Sequence, residues 1–407
     1  MPLPSGGEME VNGSLEEVKG TRVLRLWGSH QEMGYAYGYL MADELVEVIE
    51  QALFEGTLSK FPRTWTYEKV ARIVDERILW PEGYYEEMEA MVEGMEAALG
   101  SLPVITHQRI ERGSVAVEPM MLAMLNASRD LVDLSLDCCS FAAWGEATGD
   151  GQTRVGGTEQ GEWGVMSEHT LVMVRQPDYG LGWACSNIVG SLSCMRGMNE
   201  TGVAVAPQGA ETPWLEVKGP CYAGLHARLV LEQVAAGPDM VSHIVEMFEQ
   251  HPRCGSSVFL FAQGGPTWSD PDPDQMAVAI EHDFTGVTAR LPSHNALHGN
   301  PLTEAVVVTN HFFQREMPTS HQTLRESDRR YDAMVAVLQE RVIADVADMQ
   351  QVLIACDPAG LGKQSVYMEP DSMVIHVAFR PSAGAPASPH HTPVSFTWEE
   401  LFGSVGD

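Results

Sequence analysis

Positive charge is scarce in this chain: 25 lysines and arginines stand against 56 aspartates and glutamates in 407 residues, a formal charge of -31. So acidic a surface repels phosphate backbones and anionic headgroups, which argues against nucleic-acid and membrane partners. It mildly favours cationic small molecules, although solubility alone accounts for it. Long apolar runs are also missing. No stretch approaches the ~20 residues of a membrane-spanning helix, and the opening MPLPSGGEMEVNGSLEEVKG has neither the basic region nor the apolar stretch of a secretory signal. The seven cysteines are Cys138, Cys139, Cys185, Cys194, Cys221, Cys254 and Cys356, and no pair has the two-residue spacing of a zinc or redox motif. Grouping Cys138 and Cys139 with His390 and His391 gives no zinc spacing either, so neither a metal nor a cofactor is expected. These features predict a soluble, cytoplasmic protein with reduced thiols.

What is present suffices for a large core, since 44 % of the residues are hydrophobic. The first third reads as helical. GSHQEMGYAYGYLMADELVEVIEQALF (28–54) has apolar residues at three- and four-residue spacing behind a capping Ser29. TYEKVARIVDERILW (66–80) and PEGYYEEMEAMVEGMEAALG (81–100) repeat the pattern, the latter between Pro81 and Gly100, and a further helix is expected over 119–132. From about residue 137 the chain turns to short β-branched and aromatic runs divided by glycine turns. A helical pair (221–251), more strands, a helix over 323–342 and two last strands follow. This order predicts a layered α+β protein with antiparallel sheets. QGGPTWSDPDPDQ (263–275) reads as an exposed loop.

LDCCSFAAWGEATGDG (136–151) carries the chemistry. A thiol titrates near ~8.5 and needs a base to attack at neutral pH, whereas a free α-amine titrates near ~7.7–8.0 and can serve as that base. Scission before Cys138 would put both groups on one residue. The alternative is that Cys138 and Cys139 are small buried residues, as free cysteines often are.

CCSFAAWGEATGDG resembles the start of the mature subunit in the acyl-coenzyme A:6-aminopenicillanic-acid acyltransferase family. That family belongs to the N-terminal-nucleophile (Ntn) hydrolases, alongside acid ceramidase and choloylglycine hydrolase. WGSHQEMGYAYG (27–38), MEAMVEGMEAALG (88–100), GMNETGVAV (197–205), VVVTNHF (306–312) and SDRRY (327–331) resemble further family segments in order. The resemblance implies a four-layer αββα sandwich, with residues 1–137 as a helical pro-segment packed on the catalytic part, 138–407. It implies scission between Asp137 and Cys138, an amidohydrolase or acyltransferase working on linear amide C–N bonds, and a small-molecule amide or acyl donor as substrate. The fragments are expected to stay associated, and a homo-oligomer is possible. By position Cys138 is the nucleophile and Cys139 a packing residue. Asn310 would be an oxyanion donor, and Arg330 would bind a substrate carboxylate or orient the cysteine. Ser327 would help position the amine, and Gln208 would be a secondary donor. His311 is assigned to substrate binding; a papain-like Cys–His pair with Asn310 as its orienter is disfavoured, because a His next to Asn in a strand points to the opposite face.

One departure stands out. Family members carry Arg-Asn-x-Asp-Trp about twenty residues after the cysteine, and this chain has GGTEQGEW (156–163). Without a gap, Gly157, Thr158 and Gln160 replace Arg, Asn and Asp; with two residues inserted, Glu162 beside Trp163 supplies the acid, the preferred alignment. Arg154 or Arg175 would then replace the arginine. The departure, and Asp137 where relatives have glycine, keep open a second reading: an unprocessed, non-catalytic scaffold or binding protein.

Overall fold

The computed structural model describes residues 10–132, 137–161, 164–210, 220–253, 255–264, 272–315 and 321–403. Its larger sheet has nine strands in the spatial order Gly13–Val18, Thr21–Gly28, Thr170–Pro177, Trp183–Ile188, Arg196–Asn199, Val203–Gly209, Ser257–Gln263, Ala277–Asp283 and Gly286–Arg290. The smaller has six: Ala305–Val308, Asp137–Gly145, Gly151–Gln160, Gly362–Glu369, Val374–Phe379 and Val394–Thr397. Neighbours run antiparallel except Thr21–Gly28, which pairs in parallel with Thr170–Pro177.

Alternation of side chains along each strand builds three cores. In the nine-stranded sheet Leu171 and Met173 face the outer helices, while Val172 and Val174 meet the other sheet. In Asp137–Gly145, Ala142 and Trp144 face the inter-sheet layer. Cys139, Phe141 and Ala143 pack outward against the helices His321–Glu340 and Val346–Ala355. Helices, sheet, sheet and helices therefore stack in four layers, the αββα sandwich expected.

The N-terminal segment differs from expectation. It is not only helical, because Gly13–Val18 and Thr21–Gly28 are strands of the large sheet. Val23 enters the inter-sheet core and Leu24 and Leu26 the outer one, so this strand is apolar on both faces and shows no simple alternation to read. The run 28–54 is also not one helix: it divides into His30–Leu40, Ala42–Val48 and a wider π-helical stretch, Ile49–Thr57. Ser29 does cap the first, in a reciprocal capping box with Glu32. Its glycines have a packing reason: a Cβ on Gly38 would collide with the Met91 carbonyl, so the backbones of His30–Leu40 and Tyr84–Leu99 touch.

Two further expectations change. Cys221 is disulfide-bonded, against the expectation of uniformly reduced thiols. Beyond the two last strands expected, the C-terminal stretch adds the edge strand Val394–Thr397 and a short helix, Trp398–Phe402. No helix among the described residues is long and apolar enough to cross a membrane.

Candidate active site

Cys138 is the second residue of Asp137–Gly145 and is 1 % exposed. Its backbone nitrogen donates to Asn310 Oδ1 at 2.8 Å, and its carbonyl accepts from Arg330 Nη1 at 3.0 Å. Both partners come from later chain. Asn310 lies two residues beyond the end of Ala305–Val308, the neighbour strand in register with Ser140–Ala143. Arg330 projects from the helix His321–Glu340, where Ser327 and Arg330, three apart, share the buried face while Arg329 is exposed and pairs with Glu326.

Arg330 ties the corner together. Its Nη2 donates to Asp137 Oδ1 at 2.8 Å and to Asn310 Oδ1 at 3.0 Å, and its Nη1 also reaches Cys139 Sγ at 3.4 Å. Burial alone would lower its pKa, but Cys139 and Asp137 hold the guanidinium protonated. The Cys139 thiol feels the converse. Burial raises it, yet its hydrogen bond with Cys356 and the adjacent Arg330 bring it below the ordinary thiol range, while burial and Cys139 push Cys356 well up. Gln160 Nε2 donates to the Cys356 carbonyl at 3.0 Å and approaches both sulfurs. Cys139 is thus more than packing: it is polarised by Arg330 on the face opposite the Cys138 side chain.

The remaining candidates fall into place unevenly. Asn310 Nδ2 donates to the Gly209 carbonyl at 2.6 Å, so toward Cys138 the side chain is an acceptor rather than the donor the motif implies. Gln208, from the facing sheet, donates to Ser140 Oγ at 2.6 Å, two residues along Cys138's own face. The Ser327 hydroxyl accepts from the Asn310 backbone nitrogen at 2.8 Å and meets His311 Nδ1 at 2.7 Å, so Ser327 positions Asn310 rather than the Cys138 nitrogen. His311 also pairs with Asp328 at 3.1 Å, on the helix side. Arg154 is misplaced as a site residue. It pairs with Asp150 at 2.8 Å beside the hairpin turn, about 16 Å along its strand from the Cys138 register. Arg175 packs on the far face of the large sheet against Glu87. Glu162 and its neighbour Trp163 lie outside the described residues.

One residue was overlooked. Glu159 is the direct cross-strand partner of Cys138 and is 2 % exposed. It accepts from Gln364 Nε2 at 2.8 Å and pairs with Lys363 at 3.4 Å and, more distantly, Arg196 at 4.0 Å. Equal counts outward from Gly149 and Gly151 would pair Cys138 with residue 162; the register shift between Ala143 and Gly145 brings Glu159 opposite Cys138 instead. Gly157 also gains a reason: a Cβ there would lie 2.9 Å from the Arg196 side chain, so the strand gives up its own side chain to an arginine from the facing sheet. The described residues hold no cluster arranged to bind a metal ion.

No family model matches the chain. A curated protein of Archaeoglobus fulgidus, described as uncharacterized, is 21 % identical over 349 residues, covering 81 % of this chain and 57 % of that protein. The chain thus spans little more than half the length of that relative. Three solved structures are similar in part. A Caenorhabditis elegans ortholog of N-acylethanolamine-hydrolyzing acid amidase is 16 % identical with a TM-score of 0.42, covering 57 % of this chain and 93 % of its own. Penicillin V acylase from Agrobacterium tumefaciens is 13 % identical with a TM-score of 0.37, covering 64 % and 85 %. A mutant of conjugated bile acid hydrolase from Clostridium perfringens is 9 % identical with a TM-score of 0.41, covering 65 % and 93 %.

Proposed function

We propose that this chain is a self-processing cysteine amidohydrolase or acyltransferase that cuts before Cys138 and then works through a Cys138 acyl-enzyme on amide C–N bonds. The observation that carries the reading is the double hold on the Cys138 backbone, nitrogen on Asn310 and carbonyl on Arg330, at a buried strand start. Side chains rarely converge on both polar atoms of one residue in a regular strand, where the ladder normally serves them.

Scission turns the Cys138 amide into an amine. Asn310 Oδ1 then keeps one N–H and fixes where the lone pair points, and the nearby Arg330 cation disfavours the ammonium form, leaving a neutral base beside the thiol. The amine takes the thiol proton as sulfur attacks the substrate carbonyl, and returns it to the departing amine of the substrate. Water releases the acyl group in hydrolysis; an amine does so in transfer. Glu159, with Lys363 and Arg196, sets the field on the nucleophile's face. The two fragments stay together, because Thr21–Gly28 is a strand of the large sheet and Glu87 is buried against Arg175 and Arg228.

Alkylation tests the reading. Cys138 should react with iodoacetamide far faster than the other cysteines, and its modification should abolish hydrolysis of simple N-acyl amides. Equal, slow reactivity with no hydrolysis would favour the scaffold reading.

A further inference from the structure

Asp137 is unusual for a residue at a scission point, because its carboxylate is already engaged. Arg330 is 6 % exposed, yet the side chain of its Asp137 partner is 46 % exposed, so the place Asp137 fills opens to solvent while the guanidinium behind it does not. Nη1 stays occupied by the Cys138 carbonyl and Cys139 Sγ whether or not the chain is cut. Nη2 is different: its Asp137 partner belongs to the residue that scission detaches from Cys138.

Self-cleavage also makes Asp137 the first acyl group the nucleophile carries. Cys138 Sγ attacks the Asp137 carbonyl carbon, the C–N bond breaks, and the thiol proton passes to the departing Cys138 nitrogen. The product is an aspartyl thioester whose β-carboxylate sits on Arg330. Water then adds to that carbonyl carbon, leaving a carboxylic acid on Asp137 and returning a proton to Sγ.

Resting on the reading above, we propose that Asp137 is a built-in stand-in for substrate: once it is released, Arg330 Nη2 receives a carboxylate on the acyl part of the substrate. In Asp137 the carbonyl and the carboxylate are separated by two carbons, so the preferred class is the monoamide of a short dicarboxylic acid. The guanidinium fork favours a carboxylate strongly over a neutral amide of the same shape. The acidic surface does not prevent this, because its field is screened over about 8–10 Å whereas Arg330 acts at contact.

The test uses the processed full-length protein with N-succinyl- and N-succinamoyl-7-amino-4-methylcoumarin, which differ only in carboxylate against amide. The expected result is a kcat/KM at least about tenfold higher for the succinyl compound, the effect of roughly 1.4 kcal/mol. Separately, Asp137→Asn, at a half-exposed side chain, should slow self-cleavage about tenfold without unfolding the chain. Equal or faster hydrolysis of the succinamoyl compound, or undiminished cleavage of the Asp137→Asn chain, would overturn the inference and leave the amidase reading standing. Hydrolysis of neither compound by an uncut chain would remove the amidase reading itself.

Discussion

Two charge clusters in this protein are built on buried arginines and differ in closure. Around Glu87, two arginines and two glutamates neutralise each other. Glu87 binds Arg175 and, at 2.7 Å, Arg228; Arg228 also binds Glu232 at 2.7 Å, and Tyr84 donates to Glu232 at 2.7 Å. Glu87, Arg175 and Arg228 are fully buried, and His30, stacked on Tyr179 at 4.0 Å, forms the rim. Around Arg330, by contrast, one carboxylate faces solvent, one partner is a thiol, and two bonds go to the backbone and side chain that hold Cys138. A closed cluster fixes one arrangement; a cluster with an exchangeable anion suits chemistry. The first joins the N-terminal segment to the rest of the chain, and the second sits where that connection is proposed to be cut.

Substitutions should separate the two. Cys138→Ala is expected to lose self-cleavage and amide hydrolysis entirely while unfolding like the parent, measured by turnover and denaturant titration together. Glu87→Ala should cost about 3–5 kcal/mol of stability, because it leaves the buried Arg175 guanidinium without its carboxylate while Arg228 keeps only Glu232, with hydrolysis per folded molecule unchanged. Arg330→Lys should do the reverse: it keeps the charge but loses the fork, slowing hydrolysis about a hundredfold with a smaller loss of stability than Glu87→Ala.

Acid supplies a fourth probe. Burial opposes ionisation of Glu87, yet Arg175 and Arg228 hold its carboxyl well below the ordinary 4.5. With the folded pKa depressed, the unfolded chain takes up the proton first. The stabilisation is therefore complete above about pH 4.5 and is lost as pH falls below it, by about 1.4 kcal/mol per pH unit for this group. Unfolding free energies measured between pH 6 and pH 3 should fall less steeply for Glu87→Gln. The smallest effect belongs to Asp137→Asn, which should change global stability by under about 1 kcal/mol, as half-exposed pairs do. A larger loss in thermal or denaturant unfolding would mean that the Asp137 pair is structural after all.

Much of this was legible beforehand where one local rule sufficed. The Ser29 cap, the Gly100 helix stop and the hairpin strands are each encoded within a few residues. The strand Thr21–Gly28 was hidden because burial on both faces erases its period, and the split of 28–54 because the break at Met41 falls between two apolar-spaced turns. At the site, position named Cys138, Asn310 and Arg330 but not what they do to one another. That Asn310 accepts rather than donates depends on Gly209 arriving from the facing sheet. Glu159 was hidden because motif spacing and a symmetric hairpin count both lead to residue 162, whereas the irregularity between Ala143 and Gly145 offsets the pairing. Arg154 looked equivalent to any arginine near the nucleophile until the strand length put it at the other end.

The proposed mechanism depends on Cys138 becoming the first residue of its own polypeptide, and the intact mass of the purified protein decides that most directly. It predicts two species, one ending at Asp137 and one beginning at Cys138, with Cys138→Ala giving a single full-length mass. A parent protein of one uncut mass, or a cut at any other bond, would contradict it.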